Sequence, residues 1–193
     1  MSNILIINGH QKTDFSEGLL NKTLTEETKK FLSIRHLVKE TVVENGYDVE
    51  REQEKFKWAH DIIFQYPIYW FSAPSLLQQY IQDVYAYGIF YAFSSEGYGK
   101  GGLLKGRRFM LSTTWNSPRE AFGHDFWEEC AEPKDALIAM RKTQEFVGLK
   151  EIPMFSCHNV VKKPNVETYL TELKQHLDRY FRIAFHSRVL LYQ

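Results

Sequence analysis

Asn8 to Gly18 (Asn-Gly-His-Gln-Lys-Thr-Asp-Phe-Ser-Glu-Gly) is a long polar stretch that leaves an apolar run and leads into the start of a helix. A helix N-terminus carries unpaired N–H groups and a partial positive charge, a combination that favours a phosphate. Pro67-Ile68-Tyr69-Trp70-Phe71-Ser72-Ala73-Pro74 is an aromatic loop bracketed by prolines, and Thr114-Trp115-Asn116-Ser117-Pro118 is a second loop with an aromatic at its start. Taken singly, Tyr69, Trp70, Phe71 or Trp115 can cap a core as well as line a cleft. Two aromatic loops and a phosphate-capable loop at one sheet edge favour a cleft for a flat, apolar, phosphate-bearing ligand.

Other motifs carry less. Gly97-Tyr98-Gly99-Lys100-Gly101-Gly102 satisfies GxGxxG, but it precedes a strand instead of joining a strand to a helix, so it reads as a flexible loop. No GxxxxGK[ST] loop is present, which disfavours an NTPase. Ser75 and Ser117 lack the GxSxG elbow of serine hydrolases. The seven His form no HExxH pair and no ligand spacing with the two Cys, so no metal site is expected. His124 reads as a solvated loop histidine. No side chain stands out as a catalytic acid or base.

The elements that must position these loops follow from hydrophobic pattern. Ile4 to Ile7 is a continuous apolar run, as in a strand covered on both faces. A helix follows from Gly18-Leu19 towards Lys29. Phe31 to Val38 is expected as the second strand, and Asp48 as the N-cap of a helix carrying Val49, Phe56 and Trp58. Asp61 to Tyr66 is a strand ended by Pro67, and a helix from Pro74 buries Leu77, Tyr80, Ile81, Val84 and Tyr85. A Gly- and Tyr-rich excursion with a hairpin spans Tyr87 to Gly106. Phe109 to Thr113 is the fourth strand, Pro133 opens a helix that Gly148 stops, Ile152 to Cys157 is the last strand, and a helix capped near Asn165 runs to Phe181. The tail, with Val189-Leu190-Leu191, has no assignable role. This alternation implies one α/β domain over residues 1–193, a doubly wound five-stranded parallel sheet in a three-layer sandwich.

Composition narrows the function. Lys+Arg and Asp+Glu both number 24, so the net charge is zero, which argues against nucleic acid or an anionic membrane as partner and against a strongly acidic electron carrier. Cys130 and Cys157 lie far apart, no signal sequence precedes the first strand, and no apolar run could span a bilayer. A cytoplasmic protein is expected.

The opening Met1-Ser2-Asn3-Ile4-Leu5-Ile6-Ile7-Asn8-Gly9, Gly18 to Glu26, Tyr98 to Leu103, Met110-Leu111-Ser112 with Thr114-Trp115-Asn116, and Arg119-Glu120-Ala121-Phe122 together resemble the bacterial modulator-of-drug-activity-B proteins of the NAD(P)H:quinone oxidoreductase family, which have a flavodoxin-like fold. The resemblance runs from the first strand to the helix ending near Phe181. It implies FAD as cofactor, NAD(P)H as electron donor, a quinone as acceptor and a homodimer. It also implies that Ser16, Glu17, Gly18, Leu19, Leu20, Asn21 and Thr23 lie on the segment holding the flavin phosphates. Pro67, Ile68, Tyr69, Trp70 and Phe71 then border the ring edge, Thr114, Trp115, Asn116 and Ser117 lie below the ring, and Tyr98 reaches the cofactor. Ile68-Tyr69-Trp70 stands where Gly-Trp-Trp is the bacterial pattern; like His10, it is closer to the animal quinone reductases. An FMN-dependent azo- or nitroreductase is the rival enzyme, and a flavodoxin-type carrier or flavin sensor the rival of another class. Only Thr13 and Ser16 supply hydroxyls to the phosphate loop, which leans towards FAD over FMN.

Overall fold

In the computed structural model, which describes residues 1–182, the apolar run of β1 (Asn3–Asn8) sits inside a parallel sheet, with a strand on either side. Its alternate side chains divide between two cores. Leu5 and Ile7 face a layer with Phe56, Leu77, Tyr80 and Leu111, while Ile4 and Ile6 face Leu24, Leu173 and Leu177. The remaining elements are α1 (Leu19–Ser33), β2 (Leu37–Val42), α2 (Val49–Trp58), β3 (Asp61–Pro67), α3 (Ser75–Val84), β4 (Arg108–Thr114), α4 (Pro133–Ala136), α5 (Ile138–Phe146), β5 (Lys150–Glu151), β6 (Phe155–Cys157) and α6 (Val166–Tyr180). Strand order is β2-β1-β3-β4-β5, with β6 also paired to β4. The helices α1 and α6 cover one face, and α2, α3 and α5 the other, as a doubly wound three-layer fold requires. Chain order reverses between β1 and β3, and the crevice outside their carboxyl ends is where such folds bind ligands.

Two strand assignments need correction. The second strand is Leu37–Val42, not Phe31 to Val38. Leu24, Thr28 and Leu32 extend the helical stripe of α1 to its end, so Phe31 and Leu32 belong to the helix. As an edge strand, β2 carries an alternating pattern, exposed at Leu37 and Lys39 and buried at Thr41, with no continuous apolar run to mark it. Of the expected strand Ile152 to Cys157 only Phe155–Cys157 forms β6; β5 lies before it at Lys150–Glu151, and Pro153 between the two has no N–H to give to the ladder. Asp48 caps α2 by accepting from the Arg51 N–H at 2.9 Å, as expected. The excursion after Tyr87 is held by single bridges, Tyr87 to Tyr91 and Tyr91 to Gly102. The expected tail residues Val189 to Leu191 lie outside the described residues.

Candidate active site at the carboxyl edge of the sheet

The β1–α1 loop presents the start of α1 to the crevice. Gly18 is the N-cap with φ of 72°, a left-handed conformation that any other residue would adopt only with strain. A Cβ there would also collide with the His10 ring, so the imidazole occupies the space that a side chain at 18 would need. No side chain caps this helix end. The first-turn amides of Leu19, Leu20 and Asn21 have no intrahelical acceptor by helix geometry. His10 is 6% exposed, and its Nε2 is buried without a hydrogen-bond partner among the described residues. Burial pushes its pKa down, opposed by Glu44 and Glu17. An orphaned ring nitrogen beside an uncapped helix start fits a phosphoryl ligand. Glu17 would oppose an anion, but Lys12 holds its carboxylate at 2.8 Å.

At the end of β3, Tyr69 and Ser72 exchange two backbone hydrogen bonds, N–H to carbonyl, of 3.0 and 3.1 Å. The two residues at the tip, Trp70 and Phe71, have φ of 48° and 63°. This is the backbone of a tight turn that normally takes Asn or Gly, built here from two bulky aromatics. Such strain collects at functional sites. Trp70 is 93% exposed, and Phe71 packs against Phe126 and Trp127 with both centroids at 5.3 Å. Gln11 supports the turn from the neighbouring loop. Its backbone carbonyl accepts from the Tyr69 hydroxyl, and its side chain accepts from Ser75 and the Leu76 amide at the start of α3.

Beyond β4 the loop turns back over the edge. The Trp115 indole is 2% exposed, donates to Thr113 Oγ1 at 2.8 Å and stacks near-parallel to His158. His158 Nδ1 meets the Ser117 carbonyl at 3.1 Å and its Nε2 meets Ser156 Oγ at 2.9 Å. Since a carbonyl only accepts, Nδ1 carries a proton, and burial pushes the pKa of the ring down. Ser117 Oγ also accepts from Trp127 Nε1. The loop is thereby fixed from its side-chain and carbonyl sides, while the Asn116 and Ser117 amides have no protein acceptor among the described residues. The same is true of Trp70 and Phe71.

A buried polar chain registers these pieces against one another. Ser112 Oγ donates to Gln65 Oε1 at 2.6 Å, Gln65 Nε2 donates to Asn21 Oδ1 at 2.8 Å, and Asn21 Nδ2 donates to Thr114 Oγ1 at 3.1 Å. The chain links the start of α1 to the ends of β3 and β4. Its members are satisfied, so it stiffens the site.

Of the expected site residues, His10, Ser16, Glu17, Gly18, Leu19, Leu20, Pro67 to Phe71 and Thr114 to Ser117 do converge on this edge. Several of them contribute structure in place of a free contact. Asn21 and Thr114 are spent on the buried chain, Thr23 Oγ1 donates to the Leu19 carbonyl within its helix, and the Ser16 amide closes a turn with Thr13. The Trp115 indole faces the core, so the reading of it as a cleft aromatic is corrected. The Ile68, Tyr69 and Trp115 amides are likewise taken, by Thr114, Ser72 and Cys157 carbonyls, and cannot serve a ligand. Tyr98 is not brought to this edge within one chain. It is 97% exposed and lies against Phe146 at the end of α5, close to where β5 begins beside the amino end of β4. Glu44, Gln11, Gln65 and His158 were missed. Gln65 had a signal, a lone amide inside the apolar strand Asp61–Pro67.

The profile of the flavodoxin-like fold family matches residues 2–181. The chain belongs to that family. Among its relatives is an NADPH:quinone oxidoreductase of Haemophilus influenzae, 42% identical over 192 residues, covering 93% of this chain and 99% of that protein. A Klebsiella pneumoniae structure assigned as a candidate quinone reductase superposes with a TM-score of 0.78 at 23% identity, over 92% of this chain and 84% of that one. General stress protein 14 of Treponema denticola, solved in complex with FMN, superposes with a TM-score of 0.67 at 23% identity, over 94% and 96%. These two structures share the fold with this member of the flavodoxin-like family. Among its described residues no helix is long and apolar enough to cross a membrane.

Proposed function

We propose that this member of the flavodoxin-like family is a cytoplasmic flavoenzyme that moves two electrons from NAD(P)H to a quinone. One observation carries the reading. An uncapped helix start with an orphaned His10 nitrogen and a strained, outward Trp70–Phe71 turn occupy the same sheet edge as the free Asn116 and Ser117 amides. Identity of 42% with an NADPH:quinone oxidoreductase supports the same chemistry. A flavin held there supplies hydride acceptance from the nicotinamide and hydride donation to the quinone. The amides at the start of α1 and His10 would hold its phosphate. The Asn116 and Ser117 amides would donate to the flavin and stabilise negative charge there. Trp70, Phe71 and Phe126 would exclude water from the face that donor and acceptor use in turn. No side chain is needed as acid or base.

FAD is the proposed form. Thr13 and Ser16 are the hydroxyls of the phosphate loop, sparse for a terminal phosphate. A groove of about 700 Å³ continues from the helix start between α1 and β2, past Lys22, Glu44 and Asn45, with room for a second nucleotide. Trp70 and Phe126 stand exposed on one side of the cleft, and Tyr87, Phe93 and Tyr98 on another part of the surface. A symmetric homodimer would bring the second set over the first and close the site. Heat-released ligand running as FAD on chromatography, together with a dimer mass by light scattering, is the expected result. Released FMN would move the assignment to an azoreductase-like enzyme, a fully active monomer would remove the dimer, and a protein that binds neither flavin would end the reading.

A further inference from the structure

We infer that His10 and Glu44 form a proton-accepting pair that ligates a phosphoryl group at the start of α1, so that cofactor binding takes up one proton at the His10 ring. The inference rests on the flavin reading for the identity of the phosphoryl group. Its geometry stands apart from that reading. Glu44 follows β2 in a short 3₁₀ turn, and its Oε1 accepts from the Lys12 amide at 2.7 Å, which fixes the carboxylate. Its Oε2 then lies 3.8 Å from His10 Nδ1. That is within reach of an ion pair but beyond a hydrogen bond, so either nitrogen of the neutral ring can carry its one proton. Nε2 itself is buried against Gly18 with no partner among the described residues.

A phosphoryl oxygen accepts, so Nε2 must donate to it, while Nδ1 faces the Glu44 carboxylate. Between two anions the ring is favoured with a proton on each nitrogen, one of them taken from solvent; Nε2 then donates a charge-assisted hydrogen bond and Glu44 balances the imidazolium. Two charges act on the ring, Glu44 from the turn after β2 and Glu17 from the loop, and Lys22 of α1 lines the same groove. Lys12 neutralises Glu17 at 2.8 Å, and Lys22 lies 3.9 Å from Glu26. Glu44 has no Lys or Arg within ion-pair distance among the described residues; Lys12 feels its charge more weakly than that of Glu17, and His10 is its nearest cationic partner. In the free protein, burial holds the ring neutral below its ordinary pKa. With a phosphoryl anion and Glu44 on opposite sides, the pKa rises. The bound form therefore holds more protons across the window between the two values, and affinity is highest below the free pKa and declines as pH climbs to the bound one.

The test is the dissociation constant of FAD from pH 5 to 8.5 at fixed ionic strength, read by flavin fluorescence. FAD's pyrophosphate and rings keep constant charge in that range, so any slope belongs to the protein. Affinity in the wild type should fall about 10- to 100-fold with rising pH, the size of effect an opposite charge at this range produces. His10→Gln should be flat, Glu44→Gln should shift the fall to lower pH, and riboflavin, which lacks phosphate, should be flat on the wild type. A slope retained in His10→Gln or with riboflavin, or none in the wild type, overturns the inference. Inorganic pyrophosphate, followed through the His10 ring proton resonance, separates the two readings. A pKa raised by pyrophosphate in a protein that binds no flavin would refute the flavin reading and keep the pair, and an unmoved pKa would refute the pair.

Discussion

Replacing Trp70 with Gly should make the protein more stable and less active. Trp70 sits at φ of 48° with 93% of its surface in solvent, so it carries left-handed strain and almost no packing. A non-glycine residue in that conformation costs about 1–2 kcal/mol, and glycine returns about 0.5–1 kcal/mol of this through the greater freedom of the unfolded chain. The net gain is roughly 0.5–1 kcal/mol, or about 1–4 °C in Tm at this chain length. If the indole covers the flavin, its loss removes an aromatic burial of about 1.5–3 kcal/mol, or roughly 10- to 100-fold in flavin affinity. Trp70→Ala is the control. It loses the same ring but keeps the unfavourable backbone, so flavin affinity should fall equally while Tm stays near the parent value. Scanning calorimetry of the flavin-free proteins and fluorescence titration with FAD give both quantities. A Trp70→Gly protein that melts several degrees lower would mean that the turn is held by the side chain. Unchanged flavin affinity would mean that the strain serves something other than the cofactor.

Three further outcomes follow from the same geometry. Gln65→Leu strands Ser112 Oγ and Asn21 Oδ1 in the interior, so stability should drop by about 2–4 kcal/mol, seen as a lower urea midpoint. Flavin should dissociate faster, because the start of α1 is no longer registered against β4. His10, His158 and His176 all have pKa values pushed down by burial in the folded chain, so the unfolded chain takes up protons first as pH falls. The flavin-free protein should therefore hold full stability above about pH 6.5 and lose it on acidification through the folded-state values, measured as Tm against pH; a Tm rising from pH 7 to 5 would contradict this. Steady-state rates against NAD(P)H at several fixed quinone concentrations should give parallel double-reciprocal lines, the ping-pong pattern of one shared face; converging lines would require two sites.

The sequence carried the strand–helix alternation, the Asp48 cap and the edge from which the loops depart, because each rests on a local pattern of one element. It failed at β2, where an edge strand has no buried run, and at the last strand, where one Pro interrupts the ladder. At the site the difficulty was of another kind. Trp115 was read with the loop it begins, yet the two-residue period of β4 already assigns it. Phe109 and Leu111 point into the α3 and α5 layer, and Trp115 continues that series, so its indole packs with them and with Phe122. The same rule places Gln65 on the side of Ile63, facing α1, where it meets Asn21. Carried one or two residues past each strand end, the pleat separates inward from outward residues.

What remains after that sorting is mostly backbone. The Trp70, Phe71, Asn116 and Ser117 amides, with those at the start of α1, are among the groups left free to meet a ligand, and every residue but proline has an amide. Their availability is decided by neighbours that absorb the competing groups: His158 on the Ser117 carbonyl, Gln11 on Tyr69 and the start of α3, and Gln65 on Asn21. Side-chain identity at the edge is thus a weak guide to what touches the ligand, and the polar residues one layer behind it are the stronger one. Substitutions at Gln11, Gln65 and His158 should consequently disturb flavin binding more than substitutions at Ser16, Leu19 or Thr23, although the latter lie on the segment that the family resemblance assigns to the phosphates. A scan of these six positions by flavin dissociation rate decides the matter, and equal or reversed effects would return the weight to the side chains of the loop itself.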